Sequence, residues 1–237
     1  MKERPILFSA PMVRAILEGK KTQTRRVIKP QPENLVEGKA INIPYGYYPD
    51  RYNGENLWTF WGPKGSKDQG KCTLPLFKCP YGQRGDRLWV REAFHICPHH
   101  EDYFYRADDE NLPLKCKAHT KWKPSIHMPR RASRITLEIT GIRVERLQDI
   151  SEEDAVAEGV PEDMTYVPIQ IGHEATEALK DGGHTHFLER MVNPPITQDW
   201  RQGFFRLWES INGKKSLDAN PWVWVVEFKK VEAENDK

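Results

Sequence analysis

Arg134-Ile135-Thr136-Leu137-Glu138-Ile139-Thr140-Gly141-Ile142-Arg143-Val144-Glu145-Arg146-Leu147 alternates apolar and polar residues along its length. Ile135, Leu137 and Ile139 recur at every second position, and the pattern resumes at Ile142 and Val144. A period of two is that of a strand with one buried face. Gly141, between the two halves, predicts a bulge or sharp bend of the kind small barrels use at corners. Working outward, Gly85-Asp86 is a turn signal that launches the alternating run Arg87-Leu88-Trp89-Val90-Arg91. Residues 221–231 read as a last strand, with Trp222, Trp224, Val226 and Phe228 on one face. Residues 5–9 and 103–107 read as shorter strands. Met12, Val13, Ile16 and Leu17 have helical spacing, and Gly19 stops that helix. Residues 20–28 read as an extended arm that becomes a strand.

Ser151 is an N-cap for a helix over 151–158, with Asp154 in the capping-box position and Gly159 as the stop. Thr197 or Asp199 opens an amphipathic helix through Trp200, Phe204, Phe205, Leu207, Trp208 and Ile211, closed by Asn212-Gly213. The order strand, helix, several strands, two helices, strand predicts an α+β fold with a largely antiparallel sheet curled by bulges. Residues 30–78 form an aromatic-rich insertion and residues 160–196 a polar one, within a single domain over 1–237.

Composition narrows the function classes. The chain has 237 residues, enough for a sizeable core, yet only 38% are hydrophobic, and 8 Trp, 8 Tyr and 9 Phe are among them. Aromatic-rich surfaces are therefore expected. A formal net charge of +2 means that any basic surface must be local. No run approaches the ~20 apolar residues of a membrane helix, and Pro5, Pro11 and Arg14 interrupt a signal-peptide pattern. The expectation is a cytoplasmic protein, without a membrane partner, whose four cysteines are reduced or metal-bound. The oligomeric state is left open.

Three clusters carry chemistry. In Gly19-Lys20-Lys21-Thr22-Gln23-Thr24-Arg25-Arg26, an extended chain places Thr22, Thr24 and Arg26 on one face and Lys21, Gln23 and Arg25 on the other. Hydroxyls beside cations suit a phosphate or a developing oxyanion, although a solvated basic loop has the same composition. Glu158 sits at the end of its helix, where the dipole disfavours a carboxylate unless it has another task. Pro124 and Pro129 are expected to hold a third segment extended, and His127, Arg130, Arg131 and Arg134 concentrate charge there. That segment is either a phosphate-contacting rim or a loop whose arginines pair with carboxylates.

These segments together carry a resemblance. Ile16-Leu17-Glu18-Gly19-Lys20-Lys21-Thr22-Gln23-Thr24-Arg25-Arg26 resembles the Gly-x-Lys-x-x-(Glu/Thr)-x-Arg signature of ASCH domains. Cys79-Pro80-Tyr81-Gly82-Gln83-Arg84-Gly85-Asp86-Arg87-Leu88-Trp89-Val90-Arg91-Glu92, the stretch 127–135, the stretch 147–159 and Asn220-Pro221-Trp222-Val223-Trp224-Val225-Val226-Glu227-Phe228 extend it towards the ASCH proteins of bacteriophages and prophages. The resemblance implies a PUA-like curled antiparallel or mixed β-barrel with flanking helices and two insertions. It implies action on RNA, single-stranded nucleic acid or a modified nucleoside. Similarity to amidohydrolases that deacetylate N4-acetylcytidine implies a catalytic group of Lys21, Thr24 and Glu158. Thr22, Arg25, Arg26, His127, Arg130 and Arg131 are the expected substrate or nucleic-acid contacts, with Trp58, Trp61 or Trp89 for stacking. The chain is over twice as long as those enzymes, so its substrate stays open. The alternatives are a non-catalytic RNA or modified-base binding module, a metal-independent ribonuclease and a protein-interaction factor in phage propagation.

Cys97-Pro98-His99-His100 and Cys116-Lys117-Ala118-His119 are two Cys-x-x-His pairs. The spacing resembles a zinc ribbon over 95–120, with Cys97, His100, Cys116 and His119 as ligands of a structural zinc. Incidental residues of a surface loop give the same pattern.

Overall fold

The computed structural model describes residues 1–31, 39–43, 57–61, 77–97, 102–111, 121–168 and 196–231. The chain forms two compact units, one of residues 1–149, 157–159 and 220–237, the other of residues 150–156 and 160–219.

The first unit is built on a five-stranded sheet. Its strands are β1 (Glu3–Leu7), β2 (Gln23–Val27), β6 (Arg87–Arg91), β9 (Thr136–Arg146) and β12 (Trp222–Lys230), in the order β1-β6-β9-β12-β2. The β1–β6 pair is parallel and the others are antiparallel, so the sheet is mixed. Leu88 and Val90 of β6, Leu137 and Ile139 of β9, and Trp224, Val226 and Phe228 of β12 turn to one face. Val13 and Ile16 of helix α1 (Ala10–Leu17) complete that core. Each such side chain fully removed from water contributes about 1.5–3 kcal/mol.

The bend at Gly141 is present. The β9–β12 register shifts between Glu227, which faces Gly141, and Phe228, which faces Ile139, so Thr140 is the extra residue. A Cβ at Gly141 would overlap the Glu227 carboxylate. The bulge explains why the apolar set moves from odd to even positions while staying on one face. Asp86 fixes the start of β6: its carboxylate accepts from Lys2 N and Arg4 Nη1, both at 2.8 Å, and from Gln83 N at 3.3 Å.

Several expectations are corrected. The sheet is not a closed barrel, because β1 and β2 remain its edges. A side chain spans the gap instead, with Arg26 Nη2 donating to Leu7 O at 2.6 Å. The segment around His127 is not extended. Its prolines start two single 3-10 turns, Ser125–His127 and Arg130–Ala132, since a fixed proline φ suits the residue before a turn as well as an extended chain. The strand at 103 ends early: β8 (Tyr103–Tyr105) pairs with β7 (Phe94–Ile96), and Arg106–Asn111 turns into 3-10 structure. Within the first insertion, β3 (Lys39–Ile43), β4 (Leu57–Trp61) and β5 (Phe77–Lys78) form an antiparallel sheet. The side chains of Trp58 and Trp61 lie outside the described residues.

In the second unit, Ser151 Oγ accepts from Asp154 N at 3.1 Å, as an N-cap should. It begins helix α2 (Glu152–Ala157). Strands β10 (Tyr166–Pro168) and β11 (Ile196–Gln198) pair antiparallel. Asp199 caps helix α3 (Trp200–Asn212) by accepting from Gln202 N at 2.8 Å, and helix α4 (Lys214–Asp218) follows Gly213. Phe204 and Trp208 are buried, whereas Ile211 lies beyond the buried stripe and is exposed. No described helix is long and apolar enough to cross a membrane.

Candidate functional site

The arm after α1 is fixed by its backbone before any side chain acts. Lys20 N and Lys21 N both donate to Ala15 O, at 2.9 and 3.0 Å. Thr22 N donates to Ala157 O at 2.9 Å, and Thr22 O accepts from Phe228 N at 2.8 Å. Lys21 is thereby held between the end of α1 and residues 157–159.

Its ammonium nitrogen meets Glu158 twice. Lys21 Nζ donates to Glu158 O at 2.7 Å and to Glu158 Oε2 at 2.9 Å. The first bond satisfies a carbonyl left open at the end of α2, and the cation offsets the dipole that a carboxylate there would otherwise meet. Arg25 Nη1 donates to the other carboxylate oxygen, Glu158 Oε1, at 3.2 Å. Arg25 Nη2 donates to Glu145 Oε2 at 2.9 Å. Glu145 Oε1 accepts from Arg143, which also pairs with Glu227. Lys21, Glu158, Arg25, Glu145, Arg143 and Glu227 thus form a chain of alternating charge. It runs from side chains with no exposure, Lys21 and Arg25, to a 43% exposed Glu227.

The strand register explains this convergence. Gln23 and Arg25 face Glu227 and Val225 of β12, and Val225 faces Arg143 of β9. Arg143 and Glu145, two apart, share the β9 face opposite Ile142 and Val144. Lys21 Nζ also lies 5.7 Å from the centre of the Phe8 ring, with Arg26 Cζ 5.3 Å from the same ring.

Burial pushes the Lys21 amine below its ordinary value of 10.5. Glu158 opposes the shift by attraction and hydrogen bonding, while Arg26 and Arg25 add to it. The unfolded chain therefore binds more protons between the folded value and 10.5, so the Lys21 contribution to stability rises with pH across that window. The unfolding free energy of the native protein minus that of Lys21→Met should accordingly increase as pH is raised towards 10.5, by urea titration at stepped pH. A flat difference would mean that Lys21 titrates as in water.

The expected site residues divide into three groups. Lys21, Glu158 and Arg25 meet in the buried network. Thr24 is buried on the neighbouring position of β2, opposite Val226, and its hydroxyl has no hydrogen bond to Lys21 or Glu158 among the described residues. Thr22 is exposed. Arg130 reaches Glu3 Oε2 at 3.1 Å, Arg131 reaches Tyr103 OH at 3.1 Å, and His127 is exposed. Of the zinc residues, Cys97 is buried beside Phe104 and Trp122. His100, Cys116 and His119 lie outside the described residues, as do residues 169–195. Among the described residues no three His, Cys, Asp or Glu side chains gather as a metal site.

Glu145 and Arg143 escaped the reading of the sequence because only the cross-strand register, shifted by the bulge, brings them to Arg25. The one local signal is the pair of opposite charges at i and i+2 on a strand. No family model, curated protein or solved structure matches the chain.

Proposed function

We propose that this chain is an ASCH-type protein with a PUA-like sheet that acts on a nucleoside or nucleic acid, and that Lys21 and Glu158 are its chemical centre. The observation that carries this reading is the contact between Lys21 and Glu158, 137 positions apart in sequence, around an amine depressed by burial. Burial lowers the Lys21 pKa and so eases loss of the proton it shares with Glu158, the step that yields the neutral amine a general base requires. Arg25 holds the Glu158 carboxylate in place beside Lys21, so the carboxylate can accept that proton. The mixed sheet, with its edges spanned by Arg26 and Leu7 O, accords with a PUA-like arrangement.

The reaction that fits is hydrolysis of an N-acylated cytidine. The Thr24 hydroxyl, or a water, attacks the acyl carbon while Lys21 takes its proton. The carbon–nitrogen bond breaks as that proton passes through Glu158 to the leaving amino group. If Thr24 is the nucleophile, water then cleaves the acyl ester, giving cytidine and a carboxylic acid. This step requires Thr24 to turn its hydroxyl towards Lys21.

Incubation with a panel of acylated cytidines, following released cytidine by chromatography, tests the reading. Lys21→Ala and Glu158→Ala should each lower turnover by about 10²–10⁴-fold. Thr24→Ser should retain more activity than Thr24→Ala. Cleavage of short RNAs in place of acyl release would replace this reading with the ribonuclease. Binding without turnover, unaffected by Lys21→Ala, would replace it with a binding module.

A further inference from the structure

Resting on the reading of Lys21 and Glu158 as the chemical centre, we infer that Glu145 is a positioning residue for that pair: it shares the Arg25 guanidinium with Glu158, and so fixes where Glu158 points and how much positive charge Lys21 meets. Lys21 and Arg25 both have side chains with no exposure, and Glu158 is the carboxylate that touches both. Two cations and one anion would leave an excess positive charge where water solvates it poorly, which is costly. Glu145 supplies the balancing charge.

The two carboxylates take the two terminal nitrogens of one planar group. Glu158 Oε1 accepts from Arg25 Nη1 at 3.2 Å, and Glu145 Oε2 accepts from Arg25 Nη2 at 2.9 Å. Because the guanidinium is rigid, turning it towards one carboxylate loosens its hold on the other. With Nη1 kept on Glu158 Oε1, the second oxygen, Oε2, is left turned to Lys21 Nζ at 2.9 Å.

The sheet gives this arrangement a fixed outer end. Arg25 lies on β2 and Glu145 on β9, with β12 between them. The Arg25 side chain therefore crosses β12, where Val225 faces Arg25 and Val223 faces Glu145. Both valines are fully buried and neither side chain can accept a hydrogen bond. Glu145 is 26% exposed, and its other oxygen accepts from Arg143, which pairs in turn with Glu227. Glu145 is thus held from both sides at the boundary between the buried pair and water.

Outward from Lys21 the charges run Glu158, Arg25, Glu145, Arg143, Glu227, changing sign at each link. Arg26 of β2 is the further cation acting on Lys21; it lies over the Phe8 ring and within electrostatic reach of Tyr81. From α1 the arm meets the Ala15 carbonyl. The alternation gives Glu145 a signature that a merely structural contact lacks. Removing the negative charge at Glu145 should ease loss of the Lys21 proton, whereas removing the positive charge at Arg143 should hinder it.

The test is a pH titration of the full chain by NMR, with lysine labelled at Cε and the Lys21 resonance assigned by its loss in Lys21→Met. A charge in direct contact moves a pKa by about 1–3 units, and Glu145 acts through Arg25, so Glu145→Gln should lower the Lys21 midpoint by about half a unit to one unit. Arg143→Met should raise it by roughly a few tenths of a unit, since Arg143 is one link further out and 30% exposed. Glu145→Asp, which keeps the charge, should restore most of the native value. Equal midpoints in the native protein and Glu145→Gln would overturn the inference. So would shifts of the same sign in Glu145→Gln and Arg143→Met, or a Lys21 that stays protonated throughout in Glu145→Gln. Thermal melts check that each variant is folded. Where Glu145→Gln is not, Arg143→Met decides, and a midpoint unchanged or lowered there overturns the inference. The reaction is read separately. With turnover of acylated cytidines, the acid limb of the rate–pH profile should move down with the NMR midpoint in Glu145→Gln. A midpoint that moves while the acid limb stays still would refute Lys21 as the base and support the role of Glu145. Without any turnover the proposed reaction falls, and the midpoints alone decide that role.

Discussion

Replacing Glu158 with alanine should cost about 3–5 kcal/mol of folding free energy, the largest loss expected from removing one side chain of the ionic network. The reason is what remains. Lys21 and Arg25 both have side chains with no exposure, and Glu158 is the carboxylate that joins them. Its removal leaves two buried cations near one another, with Arg25 retaining Glu145 and Lys21 retaining only a carbonyl acceptor. Lys21→Met should cost less, because it deletes a desolvated charge and leaves Glu158 paired with Arg25. Glu158→Gln should fall between, since it keeps the shape and one acceptor but loses the charge. Urea unfolding of the three variants at pH 7 should therefore rank Glu158→Ala as the least stable, then Glu158→Gln, then Lys21→Met. The ranking is informative because a buried ion pair is poor evidence of stabilisation by itself. If Lys21→Met proves as stable as the native protein, the pair is retained for some task other than folding. A Glu158→Ala protein within 1 kcal/mol of native would mean that water reaches the pair and that the network is not buried in solution.

Much of this geometry could be read only in part from the amino-acid order. Strand β6 was legible at both ends, since Gly85-Asp86 turns the chain and Arg87 to Arg91 alternates without a break. The bulge at Gly141 was legible because the apolar phase changes there. Its consequence was not: the Arg25–Glu145 contact depends on which residues of β2, β12 and β9 lie abreast, and no local pattern encodes that. The parallel pairing of β1 with β6 was equally silent, because 80 or more positions separate the partners and a parallel pair needs no hairpin signal. The Lys21–Glu158 pairing entered through a resemblance, since a glutamate ending a short helix is ordinarily a surface residue. The arginines of residues 121–134 look alike in sequence, yet Arg134 lies between Glu92 and Asp108 whereas Arg130 lies beside Trp89. Composition registers the charge of a segment; packing decides which charges stay available.

Gly159→Ala should destabilise the protein by about 2–4 kcal/mol and disturb the Lys21 site at the same time. Gly159 has φ +70°, a left-handed conformation that costs an L-residue roughly 1–2 kcal/mol. Space adds to that cost. A Cβ there would lie 2.8 Å from the Lys21 Cβ and 3.0 Å from the Ala15 Cβ. Both of those atoms are attached directly to backbone, so neither can swing aside as a side-chain tip would. Relief requires the end of α1, the arm at Lys21 and residues 157–159 to separate. Such a movement strains the bonds from Lys21 N to Ala15 O and from Thr22 N to Ala157 O. It also draws the Glu158 carbonyl and carboxylate away from Lys21 Nζ. Gly19→Ala is the matched control, because Gly19 has φ +74° but nothing within 4 Å of its would-be Cβ. That variant should show the conformational cost alone, about 1–2 kcal/mol, with the site undisturbed. The difference between the two variants in urea unfolding thus measures the close approach at Gly159. In an assay of acylated cytidines, Gly159→Ala should lose turnover towards the level of Lys21→Ala, whereas Gly19→Ala should keep it. Equal stability and equal activity of the two variants would show that residues 157–159 and the arm are not in contact, and the shared site of Lys21 and Glu158 would fall with that result.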